Sequence, residues 1–267
     1  MCTLIKPLCP SRIPHKREIP LNTFFIILTF SCLFLSSLAQ AEQPPPYPTV
    51  PAPAAPPPVM QNDINQKSAA QKIGEGMYQI GQAIVNMNSR ELKVHGWINM
   101  SEGLVEYLAV SPRGKLHESI LALDVEPMHF QVGLILLDLN FGRNIRYQGD
   151  PETPRGDSVE IYVEWQDQGD VKKYRAEELV FNKATDSTLA PGHWVFTGST
   201  VINGIFMAER EGSLIATYHD PFTIIDNPSP AGGDDTILFA NQKILPPPKT
   251  PVTVIIKPSP QRRRNSE

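Results

Sequence analysis

The residues best suited to chemistry lie in one short polar run, in which Lys115, His117 and Glu118 fall within four positions. An imidazole beside a carboxylate can act as a general acid–base pair, so His117 and Glu118 are the candidate catalytic residues. Asp124 and His129 follow within eleven positions of Glu118. Imidazole and carboxylate are also the ligands that a metal site without thiolate must use, which makes His117, Asp124 and His129 candidate metal ligands.

Three interpretations of this run stay open. Lys115, His117, Glu118 and His129 could form a ligand-binding surface, in which Lys115 offers positive charge. His117 and Glu118 could instead serve a metal-assisted hydrolase as base or ligands. They could also have only a structural role, forming hydrogen bonds within the turn, since the twelve positions from His117 to His129 match no zinc signature. The sequence contains neither G-x-S-x-G nor H-E-x-x-H, so the reaction, the metal and any cofactor stay unknown.

Two strands, a turn and a helix are predicted to position this run. Residues 103–110 and 119–125 are rich in apolar side chains, as strands are, and residues 111–114 between them contain the Pro and Gly of a turn. Pro127 suits the first position of a helix, where its missing N–H has no partner to lose. Apolar residues then recur at the helical spacing that predicts an amphipathic helix lying on the sheet: Phe130, Leu134 and Leu137.

Short alternating segments dominate the rest of the chain. Residues 78–86 and 91–99 predict a hairpin, and residues 158–166 alternate apolar and polar side chains as a half-buried strand does. Such segments, with one helix, predict a strand-dominated α+β fold with a largely antiparallel sheet and one main amphipathic helix packed on it. The last strand, residues 252–256, follows Pro251, which we expect at a sheet edge because proline cannot donate to a ladder.

Composition divides the chain into four regions. Residues 1–41 have a basic start, an apolar run of twelve residues and a small-residue ending, which is typical of a cleaved signal peptide. Residues 42–76 form a proline-rich linker and a polar segment, residues 77–257 the globular domain, and residues 258–267 a disordered basic tail. We therefore expect an exported protein of the periplasm or cell envelope, tethered to the membrane if the signal stays uncleaved.

Cysteine content and charge narrow the chemistry further. Cys2, Cys9 and Cys32 all lie in the leader, so the mature domain is expected to have no disulfide, thiolate zinc site or iron–sulfur cluster. The leader holds four of the 24 Lys and Arg residues and one of the 28 Asp and Glu residues, which leaves 20 basic and 27 acidic. This balance disfavours a nucleic-acid partner and leaves an envelope protein or a small ligand.

A second acidic group lies in residues 226–235, which are rich in Gly and Pro. Asp226, Asn227, Asp234 and Asp235 supply oxygen atoms that could bind calcium. Their spacing is not that of an EF-hand loop, so the sequence predicts an irregular site at most.

Several blocks of the sequence resemble the uncharacterised YdjY-like family of exported bacterial proteins. The most specific block is Gly114-Lys115-Leu116-His117-Glu118-Ser119, and the resemblance covers roughly residues 78–256. Further blocks that match are residues 103–110, 160–165, 194–199 and 212–218. Relatives often carry a cysteine on the strand before the first block, where this chain has Ala109, so the resemblance implies no iron–sulfur cluster here. The resemblance implies a fold and an exported location, but it does not imply a particular reaction.

Overall fold

The computed structural model describes residues 70–260, which are built mainly of short strands. The strands are β1 (Gln71–Gly74), β2 (Met77–Ile80), β3 (Ala83–Asn86), β4 (Glu91–Ile98), β5 (Tyr107–Val110), β6 (Ser119–Leu123), β7 (Asp157–Asp167), β8 (Asp170–Arg175), β9 (Val180–Asn182), β10 (Ser187–Thr188), β11 (Trp194–Phe196), β12 (Val201–Ile202), β13 (Ile205–Phe206), β14 (Ser213–Ala216), β15 (Ile225–Asp226), β16 (Leu238–Ala240) and β17 (Pro251–Pro258). The helices are α1 (Pro127–Leu136), α2 (Met207–Glu211) and the 3-10 turns Leu116–Glu118, Ala176–Leu179 and Pro230–Gly233.

Eight of the strands close into a barrel. Their order is β4, β17, β7, β11, β15, β14, β5 and β6, and β6 pairs back onto β4. Strands β1 to β3 extend the sheet beside β4, and β8 extends it beside β7. The predicted α+β fold, with a largely antiparallel sheet covered by an amphipathic helix, is therefore wrong. A closed sheet encloses its own apolar face, so it does not need a layer of helices to bury that face.

The barrel is mixed because two of its pairings are parallel, β5 with β6 and β14 with β15. The sequence predicts only a turn at residues 111–114. In the structure, residues 111–118 return the chain to the start of β5, so that β6 runs parallel to β5. Parallel neighbours usually need a crossover of about a dozen residues or more, so this connection is unusually short. A side-chain carbon on Gly114 would lie 2.8 Å from the carbonyl oxygen of Gly212, which explains why the tight path needs glycine.

Closure depends on β4, whose one edge is shared by two partners. The first half of β4 pairs with β3, and the second half, from Gly96 to Ile98, pairs with β6. Gly96 begins the second pairing, opposite Leu123. A side-chain carbon there would lie 2.2 Å from the carbonyl oxygen of Ala122, so only glycine lets β6 approach at this point.

The last strand, β17, lies inside the barrel wall rather than at an edge. It pairs along its length with β4 on one side and with β7 on the other. Pro251 is the first residue of β17, a position where the missing N–H interrupts no central ladder bond. The expectation that Pro251 marks a sheet edge is therefore wrong, and the strand is placed by long-range pairing.

Helix α1 begins at Pro127, as predicted, but it is not amphipathic. Phe130 and Leu134 are fully buried, whereas Met128 and Ile135 are 42% and 43% exposed, so apolar side chains occur on both sides of the helix. The helix contacts β2 and β3, which extend beyond the closed strands, and it also contacts α2 and the barrel strand β14. Its buried side chains Phe130 and Leu134 therefore belong to the same apolar core as the barrel strands.

The interior is filled by apolar side chains that alternate along the strands. Val159, Ile161 and Val163 of β7 are fully buried, and the predicted alternation of this strand is confirmed. The predicted turn after residue 86 is also confirmed, because β3 and β4 pair antiparallel, but residues 78–86 are two strands, β2 and β3, rather than the one that was predicted. Among residues 70–260, no helix is both long and apolar enough to cross a membrane.

The predicted signal peptide of residues 1–41, most of the linker and the end of the tail lie outside the described residues. Their assignment remains a prediction from composition.

We predict that Gly96→Ala destabilises the protein by about 1–3 kcal/mol, because the added methyl group collides with the backbone of β6 where the barrel closes. The free energy of unfolding in urea measures this loss. Gly192→Ala is the matched control, since a side-chain carbon at Gly192 meets no atom closer than 3.7 Å. Equal stability of the two variants would contradict the proposed role of Gly96.

Candidate functional site

The parallel strands β5 and β6 divide the predicted site residues into two groups. Lys115, His117 and Glu118 precede β6, whereas Asp124 and His129 follow it. The five residues of β6 span roughly 16 Å, at about 3.3 Å per residue. The two groups therefore lie near opposite ends of this strand, and each has to be described separately.

The first group lies on residues 115–118, which we call the lysine turn. Asn99 Nδ2 donates hydrogen bonds to the carbonyl oxygens of Leu116 and of Ser119, the latter at 2.8 Å. Ser119 Oγ donates to the carbonyl oxygen of Lys115 at 2.6 Å. These bonds fix the backbone of the turn, so the Lys115 side chain starts from a defined position.

A chain of polar groups runs from Lys115 to buried side chains of the domain. Lys115 Nζ donates to Tyr107 Oη at 3.2 Å, and Tyr107 Oη donates to Asp220 Oδ2 at 2.7 Å. Tyr107 is fully buried and Asp220 is 4% exposed. Asp220 also accepts bonds from the N–H of Phe222 at 2.8 Å and from Ser213 Oγ at 3.4 Å. The buried carboxyl group is thus compensated by several donors, as its burial requires.

Asp226 lies at the inner end of this chain and is completely buried. Its Oδ2 atom accepts a bond of 3.4 Å from the N–H of Asp220, and its Oδ1 atom accepts one of 2.7 Å from the N–H of Asn227. Burial raises the pKa of Asp226 well above its usual range, and the neighbouring Asp220 charge acts in the same direction. Asp226 therefore belongs to the interior, and the structure does not group it with the exposed Asp234 as the calcium prediction supposed.

On the solvent side, Lys115 faces carboxylates. Glu118 Oε1 lies 3.5 Å from Lys115 Nζ, and Glu118 Oε2 lies 3.6 Å from Nε2 of His117, whose side chain is 79% exposed. Glu106 accepts a bond of 2.8 Å from Gln148 Nε2. Burial, followed by the charge of Glu118, raises the pKa of Glu106. The surroundings of the lysine turn are therefore polar and more negative than positive.

The chemistry available to Tyr107 is limited by its partners. Burial, and then the charge of Asp220, raise the pKa of Tyr107, so the hydroxyl stays protonated and is unsuited to act as a base. Its hydrogen points to Asp220, which leaves a lone pair to accept the bond from Lys115. An ammonium group has three N–H donors; Tyr107 accepts from one, Glu118 is placed to take a second, and the third is available to a ligand.

The second group, Asp124 and His129, lines a cleft of about 450 Å³ at the start of α1, which we call the α1 cleft. His117 and Glu118 do not line it. The structure thus does not bring the candidate metal ligands His117, Asp124 and His129 together. Within the part of the chain that the structure describes, no three His, Cys, Asp or Glu side chains are grouped to hold a metal ion.

Sequence reasoning missed Tyr107 and Asp220, and it predicted a different role, calcium binding, for Asp226. Tyr107 was counted among the apolar residues of its strand, although a buried tyrosine hydroxyl usually has a partner, and that rule could have drawn attention to it. The partner itself lies 113 positions away, and no local pattern indicates it. The Gly- and Pro-rich segment that begins at Asp226 gives no sign that this residue is buried at the end of β15.

Fold and site together define a closed, mixed β-barrel domain with a chain of polar groups that connects a partly exposed lysine to buried side chains. The family model described as YdjY domain matches residues 83–257, a range that contains all eight barrel strands except the last residue of β17. The chain therefore belongs to the YdjY domain family, and the resemblance seen in the sequence blocks is confirmed. Comparison with curated proteins and with solved structures gave no match.

We predict that Asp226→Asn gains stability relative to the wild type as the pH rises from 4 to 8, by on the order of 1 kcal/mol in the free energy of unfolding. A carboxyl group whose pKa is raised by folding favours the folded state at low pH, and that contribution is lost as the pH rises from about 4 through the folded pKa. The neutral amide avoids this loss, so the advantage of the variant should shrink as the pH approaches 4. Urea unfolding at pH 4 to 8 measures it.

Asp234→Asn is the matched control for this experiment. Hydrogen bonds from the side chain and the N–H of Thr236 lower the pKa of Asp234, so the same substitution there should reduce stability above about pH 4. A pH-independent difference between Asp226→Asn and the wild type would contradict the inferred shift at Asp226.

Proposed function

We propose that this YdjY domain protein is an exported cell-envelope protein that binds a small polar ligand at the lysine turn. The observation that carries the proposal is the bond from Lys115 Nζ to the buried Tyr107–Asp220 pair. A free lysine side chain loses up to about 2 kcal/mol of conformational free energy when it is immobilised. Because Lys115 is already held, a ligand would not have to supply that free energy on binding.

The chemistry around Lys115 favours a ligand that both accepts and donates hydrogen bonds. The third N–H of Lys115 requires an acceptor, and the carboxylate of Glu118 beside it can take a donor. A free anion would meet the negative charges of Glu118 and Glu106, which opposes its binding. Hydroxyl and amide groups, as in a sugar or a short peptide, fit this combination.

The alternative, an envelope hydrolase that uses His117 and Glu118, has less support. A general base needs a fixed position within reach of the substrate proton. The His117 side chain is 79% exposed, and its one described polar contact is with Glu118 at 3.6 Å. This alternative stays a prediction from the residue types, and metal assistance gains nothing from the arrangement of the described side chains.

We predict that Lys115→Met weakens ligand binding about tenfold or more, because a charged donor is lost while the aliphatic stem is kept. The probes are N-acetylglucosamine, glucose and dialanine, titrated into the purified protein and followed by ligand-observed NMR. Lys172→Met on β8 is the control that removes the same charge elsewhere. Tyr107→Phe should give an intermediate loss, because it releases the Lys115 ammonium from its fixed position.

Equal binding of these probes to the wild type and to Lys115→Met would contradict the proposed site. Failure of all three to bind the wild type would contradict the proposed ligand class.

Export gives a separate prediction. We expect the protein recovered from the envelope of an expressing bacterium to begin at Glu42, after cleavage behind Ala41. N-terminal sequencing of the periplasmic and membrane fractions measures this. An intact leader in the membrane fraction would indicate a tether instead, and an intact leader in the cytoplasm alone would contradict export.

A further inference from the structure

The α1 cleft lies at the other end of β6 from the lysine turn, and nothing proposed above uses it. It is bounded by the end of β5, the end of β6, the start of α1 and the turn between β2 and β3. Its volume of about 450 Å³ is within the range of small-molecule sites, about 300–1,000 Å³. Its size therefore permits an organic ligand of modest size.

Negatively charged side chains outnumber positively charged ones around the cleft. Arg113 is its positive side chain, and the guanidinium group donates to Glu126 and, at 3.0 Å, to Glu209 on α2. Two carboxylates thus already neutralise Arg113. Asp124 also lines the cleft, and its carboxylate makes no hydrogen bond or ion pair with any residue from 70 to 260. A bound group facing Asp124 would meet a negative field.

A buried hydroxyl group in the same wall also lacks a partner. Ser111 lines the cleft, is 2% exposed, and its Oγ atom has no hydrogen-bond partner in the described part of the chain. Buried polar atoms without a partner are uncommon in folded proteins and call for an explanation such as a ligand or a water molecule. His129 lies against Gly81 in the same cleft, and neither of its ring nitrogen atoms bonds to a described residue.

The remaining wall is suited to a short hydrocarbon stem. Pro112 and Val125 line the cleft beside the polar groups, and Val125 follows Asp124 directly. A metal ion does not match this combination, because no three potential protein ligands converge within the described residues. An ammonium group does, since its three N–H donors require acceptors and its alkyl chain requires an apolar surface.

We infer that the α1 cleft binds a primary alkylammonium group, with the Asp124 carboxylate as its counter-ion and with Ser111 Oγ, which rotates from its place beside Gly212 towards the ligand, as a second acceptor. The Arg113–Glu126 pair forms the adjoining wall and holds the start of α1 to α2 through Glu209, whose carboxylate also accepts a bond of 3.1 Å from the N–H of Met128. This site is independent of the lysine turn, so either site can exist without the other.

The test uses 1,4-diaminobutane as a free amine and Nα-acetyl-lysine amide as the lysine side chain of a peptide. Each is titrated into ¹⁵N-labelled protein at constant ionic strength, and the amide signals of Ser111, Asp124 and His129 are followed. We expect saturable chemical-shift changes of these amide signals with both amines. Tighter binding of 1,4-diaminobutane would identify a free amine as the ligand, and tighter binding of Nα-acetyl-lysine amide would identify a lysine side chain of a peptide. Butan-1-ol, which has a similar stem but no charge, should cause none.

Variants separate the site from general attraction of cations to an acidic protein. Asp124→Asn should weaken amine binding by about ten- to a hundredfold, the range for loss of a charged hydrogen bond. Ser111→Ala should weaken it by about two- to tenfold, and it leaves no hydroxyl unpaired. Asp138→Asn, at an exposed position beyond the other end of α1 with φ +61°, is the matched control and should bind like the wild type.

Both Asp variants should keep the wild-type unfolding temperature, because the Asp124 side chain makes no described contact that folding would lose. Absence of saturable shifts in the wild type with either amine would overturn the inference. Equal weakening by Asp124→Asn and Asp138→Asn would overturn it too, since this pattern indicates surface charge rather than a site.

Discussion

Closure of the barrel at β4 is the constraint on which the other features depend. One edge of β4 must serve β3 and β6 in succession, and this requires Gly96 at the start of the second pairing. Without that pairing, β6 would keep only its parallel neighbour β5 and would become an open edge of the sheet. The lysine turn and the α1 cleft both border β6, so the position of each depends on the pairing of β6 with β4.

Burial also explains why the polar side chains around Tyr107 are linked to one another. A sheet that encloses its core excludes water, so each buried polar atom needs a partner within the protein. Tyr107 meets this need at both ends, because its hydroxyl group donates to Asp220 and accepts from Lys115. The cost of burying Asp226 is reduced by protonation, as its raised pKa indicates. One consequence at the surface is a lysine whose ammonium group has a defined position.

The short parallel pair of β5 and β6 separates two chemically different surfaces. At one end, an oriented lysine lies among carboxylates and offers a mixed set of donors and acceptors. At the other end, the positive charge of Arg113 is already neutralised, and Asp124 leaves the cleft negative. Residues that are close in sequence, from Lys115 to His129, are thereby assigned to different sites. This separation explains why the metal hypothesis, which required them to converge, receives no support from the geometry.

The sequence alone predicts several local features: the alternation in β7, the turn between β3 and β4, the helix start at Pro127 and the family. It also identified Lys115, Glu118, Asp124 and His129 as polar residues at the ends of strands. Tertiary structure alone decided the closed, mixed sheet, the central place of β17 and the partners of Tyr107. The physical reason is range: periodicity and turn chemistry act over a few residues, whereas closure and the Tyr107–Asp220 bond join segments far apart in the chain.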